Sequence, residues 1–203
     1  MLKIAAFIIP NIFLKKEIAL YKKQVKYCVG SQIYLDHLPH CSILTTKVSS
    51  KFLTEKSIRK PIVIKSKIKT YDVYKKSIFN FDPITKNRTI FLKIRKNKFL
   101  TNLQFLLLKK IENYRVNEKT PKFKFQWMKN NYIKFGYPYV NENWNPHFTI
   151  ASIKKNKSSK IFIDNFLKTK LKAFPREKLE KVYIYKIIKN KHKLLWKIKL
   201  KFK

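Results

Sequence analysis

"PHCSIL", residues 39–44, returns as "PHFTIA" at residues 146–151. In both stretches a proline precedes a histidine, a hydroxyl residue stands two places after it, and an isoleucine follows. Alternate residues of an extended strand share a face, so His40 and Ser42 point the same way, as do His147 and Thr149. The chain has four histidines, and two of them stand in matching contexts 107 positions apart.

Outward from the first motif, "MLKIAAF" reads as a strand, and Pro10 interrupts the apolar run in a way unlike a signal peptide. Leu14, Ile18, Tyr21, Val25 and Cys28 follow helical spacing up to Gly30, which is placed to stop the helix. Beyond the motif come a polar stretch with helical character over 49–59, an alternating strand over 62–69, and two further strands, "DVYKKSIFNFD" and "RTIFLKIRK", around a turn at 83–87. Leu100, Leu103, Leu107, Ile111 and Tyr114 describe a second amphipathic helix, and the charged stretch 115–122 connects the halves.

After the second motif the order repeats: a helix near 161–171, then "KVYIYKII" and "LLWKIKLKF" as a hairpin around 189–193. Trp196, Ile198, Leu200 and Phe202 alternate with Lys197, Lys199 and Lys201 in the last strand. Motif units over approximately 40–95 and 147–202 therefore match in architecture. The expected fold class is α+β: a single bilobal domain over residues 1–203, with pseudo-twofold packing that turns the two histidines toward each other.

Hydrophobic residues make up 45% of the chain, enough to build a core, yet the formal charge is +37. Clustered cations favour a nucleic-acid or nucleotide partner. Five arginines beside 43 lysines fit codon bias equally well, because bidentate phosphate recognition favours arginine. Two cysteines, Cys28 and Cys41, are too few for a disulfide framework and fit a reducing, cytoplasmic setting. No run approaches the roughly 20 apolar residues that span a bilayer, so no membrane partner is expected.

Paired H-x-[ST]-hydrophobic motifs at this separation resemble those of the 2H phosphoesterase superfamily, which includes bacterial RNA 2',3'-cyclic phosphodiesterases, also called 2'-5' RNA ligases. The residue-level match is His40-Cys41-Ser42-Ile43 and His147-Phe148-Thr149-Ile150. The resemblance implies two antiparallel sheets forming a V-shaped cleft with helices outside. It also implies that His40 and His147 are general base and general acid, in an order left open. Histidine suits both roles because its ordinary pKa, about 6.5, lies near working pH. Ser42 and Thr149 would donate to the phosphoryl oxygens, and this design requires neither metal nor cofactor. Ser42 stands where the family more often has threonine, and Cys41 takes a variable position whose side chain points away from the site.

Other residues are weighed beside these. A zinc site from Cys28, His37, His40 and Cys41 is the rival chemistry, but "HLPHC" lacks a second ligand pair at zinc-finger spacing. His37 reads as a loop residue near the cleft entrance, and His192, in the expected hairpin turn, receives no role. Among Tyr137, Tyr139 and Trp144, a ring would stack on a nucleobase; Tyr139 and Trp144, with Lys47, are the candidate substrate contacts.

The expected activity is metal-independent hydrolysis of 2',3'-cyclic or 2'-5' phosphodiester bonds in RNA ends or small nucleotides. The alternatives are ligation by the same groups in reverse, a non-RNA cyclic nucleotide substrate, and a basic RNA- or DNA-binding protein without turnover. The expected partner is RNA or a nucleotide, with no obligate protein partner, and the expected state is a monomer.

Overall fold

The computed structural model of the chain describes residues 1–82, 85–116, 119–189 and 191–203. Parts of the expected turn at 83–87, the connection at 115–122 and the hairpin tip at 189–193 lie outside the described residues. Strand β1 (Leu2–Ile8) is buried at every position but Lys3, so its apolar sequence belongs to a central strand covered on both faces. It pairs antiparallel with β2 (Cys41–Val48) on one side and β9 (Lys181–Ile188) on the other. β10 (Lys191–Phe202) continues from β9, and β3 (Ile62–Ile64) closes the sheet parallel to β10, giving the order β2-β1-β9-β10-β3.

The second sheet is antiparallel throughout: β5 (Val73–Phe79), β6 (Arg88–Ile94) and β7 (His147–Ile153), in that order. Between the sheets, two-residue strands β4 (Thr70–Tyr71) and β8 (Glu177–Lys178) pair antiparallel. The halves exchange strands around this pair. β5 leaves β4 to join β6, while β9 leaves β8 to join β1.

The helical connections repeat as well. α1 (Ile12–Val29) starts at Asn11, three residues after β1 ends, where the side-chain oxygen accepts the Leu14 N–H at 2.9 Å. α4 (Lys98–Ile111) starts at Asn97, three residues after β6 ends, with the same bond from the Leu100 N–H at 2.9 Å. Each helix crosses to the opposite sheet: α1 packs against β7, and α4 against β2 and β3. The correspondence thus begins at β1 and β6, upstream of the motif strands. α2 (Lys51–Thr54), α3 (Lys56–Arg59), α5 (Gln126–Phe135) and α6 (Lys157–Lys168) complete the helices among the described residues.

One continuous core, from Ile4 and Ile43 to Leu92 and Ile150, joins the two sheets with α1, α4 and α6. A separate small cluster of Ala5, Phe7 and Tyr185 lies on the other face of the first sheet, with Ile9, Tyr183 and Ile187 beside it. The architecture is the expected bilobal α+β arrangement with helices outside, and β3 is the one strand of the larger sheets that pairs in parallel.

Three local readings change. The strand expected over 62–69 ends at Ile64, because the Ser66 hydroxyl accepts the Ile68 N–H at 3.1 Å and donates to the Ile68 carbonyl at 3.0 Å, a local turn that competes with the ladder. Cys28 is exposed near the end of α1 instead of joining its buried stripe, while Lys22 is buried. α5 lies in a stretch with no expected helix. No helix among the described residues is long and apolar enough to cross a membrane.

Candidate active site

Each motif histidine sits at the start of an edge strand, and these two strands, β2 and β7, contact each other across the two sheets. The His40 Nδ1–H donates to the Leu38 carbonyl at 2.7 Å, and the His147 Nδ1–H donates to the Asn145 carbonyl at 2.6 Å. The partner is a carbonyl two residues upstream in both cases, with a proline between, whose fixed φ holds the turn. A carbonyl can only accept, so each Nδ1 carries the proton and each Nε2 of the neutral ring keeps a lone pair.

The strands share a second device. Phe7 faces Ser42 and Ala6 faces Leu44, leaving Ile43 as an extra residue in a bulge. Phe91 faces Thr149 and Ile90 faces Ala151, leaving Ile150 in the same place. The bulge lets two successive apolar residues be buried, Ile43 with Leu44 and Ile150 with Ala151, while Ser42 and Thr149 stay half-buried on the other face. Phe7 and Phe91, the residues facing the hydroxyls, also support the histidines. Phe7 stacks on His40 at 3.9 Å between ring centres, and Phe91 lies 4.8 Å from His147, with Phe79 edge-on at 5.2 Å.

The two motifs are tied together. The Trp144 indole N–H donates to the Ser42 carbonyl at 3.0 Å, and the Cys41 thiol lies against the His147 backbone. Gln104, fully buried on α4, donates to the carbonyls of Ile43 at 2.8 Å and Tyr139 at 3.0 Å and accepts the Asn141 N–H at 3.1 Å. The free edge of β2 is thereby bonded to the segment that leads into the second motif.

The charges around the two rings differ. Burial pushes the His40 pKa down to about 4, the Leu38 carbonyl opposing and His192, His37 and Lys22 adding to the effect. Burial lowers that of His147 too, but there the Asn145 carbonyl and the Asp82 carboxylate oppose it. Asp82 is itself held, accepting from the Thr89 hydroxyl at 2.7 Å and from the Thr85 N–H at 3.3 Å. Between the unfolded value of 6.5 and the folded value of about 4, the unfolded chain binds the extra proton at His40, so stability falls as pH drops through that window. The urea midpoint should therefore be lower at pH 4.5 than at pH 7, and His40→Phe should show a smaller loss. An equal loss in the variant would assign the effect to other groups.

The remaining candidates fall in different places. Tyr139 is half-buried beside β2 through its bond to Gln104, and its hydroxyl pKa is raised by burial and then by Asp82. Trp144 is only 3% exposed, so its ring belongs to the core and offers no open face to a base, contrary to the expectation for it. Lys47 is exposed five residues beyond Ser42, about 15 Å further along β2, away from the histidine end. The rival zinc ligands are dispersed: Cys28 is exposed, and Cys41 is in the core with its thiol pKa pushed up to about 12 by burial. Among the described residues, no three His, Cys, Asp or Glu side chains are placed to hold a metal ion.

His192, assigned no role from the sequence, lies within β10 opposite Ile187 instead of in a turn. Its ring is 5.2 Å from His40 and 5.1 Å from Phe7, nearly equidistant from the two stacked rings, so it sits beside the stack. His37 reaches the same group, 5.9 Å from His192. Its loop is held by Lys22, whose ammonium donates to the carbonyls of Tyr34 at 2.7 Å, Leu35 at 3.1 Å and His37 at 2.5 Å. A buried lysine at a helical face position was the available signal. For His192 the signal is hidden by the bulge at Leu195, which breaks the alternation of β10.

No family model matches the chain. No curated protein matches it either. Solved structures do. TT0787 of Thermus thermophilus aligns over 99% of both chains with a TM-score of 0.56 at 11% identity. E. coli LigT aligns in its apo form over 98% of both chains with a TM-score of 0.50 at 11% identity. LigT complexed with 3'-AMP aligns over 98% of this chain and 97% of that one, with a TM-score of 0.52 at 12% identity. With the paired sheets and twice-built motif strands, this likeness shows that the chain shares the fold of LigT and TT0787.

Proposed function

We propose that the chain is a phosphoesterase that opens 2',3'-cyclic or 2'-5' phosphodiester bonds in RNA ends or small nucleotides, one histidine acting as general base and the other as general acid. The observation that carries this reading is the duplicated local build of His40 and His147, each with Nδ1–H bound to the carbonyl two residues upstream and a hydroxyl ahead of a bulged isoleucine. One Nε2 takes a proton from water as its oxygen attacks phosphorus. The other ring, protonated, gives its proton to the ribose oxygen that leaves. The Ser42 and Thr149 hydroxyls donate to the non-bridging oxygens as charge builds on them. LigT is complexed with 3'-AMP in one similar structure and with phosphate in another, which supports a nucleotide-sized ligand for this site.

The unequal charges support one order of the roles. His40, beside His192, His37 and Lys22, is favoured in its neutral form and serves as base. Burial lowers the His147 pKa as well, but Asp82 opposes it there and nothing comparable does so at His40, which makes His147 the better candidate for the acid. The test is incubation with EDTA against 2',3'-cyclic nucleotides, an RNA ending in a cyclic phosphate and a 2'-5' dinucleotide. Turnover of at least one to a monoester is expected. Absence of turnover, with salt-sensitive RNA binding retained, would replace this reading with that of a binding protein.

A further inference from the structure

The two helix-to-strand connections at equivalent places in the duplicated fold are unequal. Residues 30–40 join α1 to β2, whereas residues 112–146 join α4 to β7 and contain α5. None of the residues of α5 is buried, although the segment is rich in rings. Phe135, at its C-terminal end, packs against the core, whereas Ile133 and, just before the helix, Phe125 are exposed, so part of the segment's apolar surface is available to something outside the fold.

Its chemistry points to one class of partner. From residue 119 to residue 141 there are five lysines, Lys119, Lys122, Lys124, Lys129 and Lys134, and no aspartate or glutamate. Between these cations lie aromatic rings in a connected series. Phe125, 48% exposed, is nearly parallel to Trp127 at 6.0 Å; Trp127 meets Tyr139 at 6.3 Å, and Tyr139 meets Tyr137 at 5.7 Å. The Lys124 ammonium lies 5.3 Å over the Phe125 ring, on a flexible stem that can move aside for a base and stay within reach of its phosphate. An exposed ring at the head of a half-buried series, interleaved with cations, is what an unpaired, flexible polyanion with π-faces requires. A duplex, whose bases are stacked internally, would use the lysines alone.

The segment is fixed to the candidate active site. The Arg115 guanidinium donates to the Ile133 carbonyl at 3.1 Å and to that of Lys134, holding the C-terminal end of α5. Asn131 donates to the Pro138 carbonyl at 2.8 Å. Gly136, at φ 66°, approaches β2 so closely that a Cβ there would lie 2.7 Å from the Thr46 hydroxyl. Gln104 bridges the backbone carbonyls of Tyr139 and Ile43, so the chain that carries these rings is tied to β2 next to Ser42.

We propose that α5 and residues 123–127 form a binding surface for the single-stranded RNA that carries the scissile phosphate, so that the chain acts on RNA ends in preference to mononucleotides. This rests on the function proposed above. The test compares kcat/KM for a 2',3'-cyclic mononucleotide and for an unstructured RNA oligonucleotide ending in the same group, using the full chain, Phe125→Ala, and Lys122→Gln/Lys124→Gln/Lys129→Gln. Phe13→Ala, another exposed ring at 68%, is the control.

Loss of one stacked base should raise the oligonucleotide KM at least fivefold in Phe125→Ala, with mononucleotide kcat/KM within twofold of the parent. The lysine variant should flatten the salt dependence for the oligonucleotide only. Equal losses on both substrates, or none on either, would overturn the proposal. Binding of a labelled RNA oligonucleotide with an ordinary 3' hydroxyl separates it from the proposed function. Single-strand binding weakened by Phe125→Ala without any turnover would keep the surface and discard the phosphoesterase. Equal binding of an acidic peptide or an RNA duplex would discard the surface itself.

Discussion

His40→Ala and His147→Ala should each lower turnover of the preferred cyclic phosphate by about 10²–10⁴-fold, the range for removal of a positioned proton-transfer group. The double variant should be little worse than the poorer single one, because base and acid act on the same displacement and their losses do not add. Assignment of His40 as base and His147 as acid gives the pair unequal responses to the leaving group. With a p-nitrophenyl phosphodiester, whose leaving oxygen needs no proton, His147→Ala should regain most of its activity and His40→Ala should not. The reverse pattern would exchange the roles, and undiminished turnover in both single variants would end the two-histidine mechanism.

Trp144→Ala should cost about 3–5 kcal/mol of stability in urea denaturation, the range for removing a large ring from a packed core. The ring is 3% exposed, and its N–H also satisfies the Ser42 carbonyl at 3.0 Å, so truncation opens a cavity and leaves that acceptor without its partner. Trp144→Phe fills most of the cavity and loses only the hydrogen bond, so it should cost about 1–2 kcal/mol. A full-sized loss of substrate affinity in Trp144→Phe, with stability unchanged, would instead return this ring to the list of substrate contacts.

The contrast between Trp144 and His192 shows what the sequence makes legible. Strands and helices whose apolar residues face one core announce themselves by period: the stripe Leu14, Ile18, Tyr21 and Val25 became α1, and Leu100, Leu103, Leu107 and Ile111 became α4. α5 lacks such a stripe because none of its residues is fully buried, so its rings and lysines carry no helical signature. The motif histidines were legible because they occur twice. Their supports, Phe7 and Phe91, were not, since a phenylalanine in an apolar strand looks like core whichever face it takes, and only the register with Ser42 and Thr149 brings it under the histidine. Trp144 erred in the opposite direction: nearness to a motif in sequence suggested the cleft, and the ring turned inward. Asp82 acts from a loop whose path depends on tertiary packing, beyond the reach of any local pattern.

The exchange of β5 and β9 between lobes also bears on how the protein is made. Ile4 meets Lys186 across the β1–β9 ladder, so one edge of an apolar strand waits for residues synthesised 182 positions later (186 less 4). At about 5–20 residues per second on the ribosome, that delay is on the order of ten seconds or more. During this interval β2 can cover one side of β1, but the other remains an open template for neighbouring nascent chains. Faster folding of either half cannot shorten the wait, and a chaperone that shields residues 2–8 until β9 emerges would raise the yield without changing the final stability.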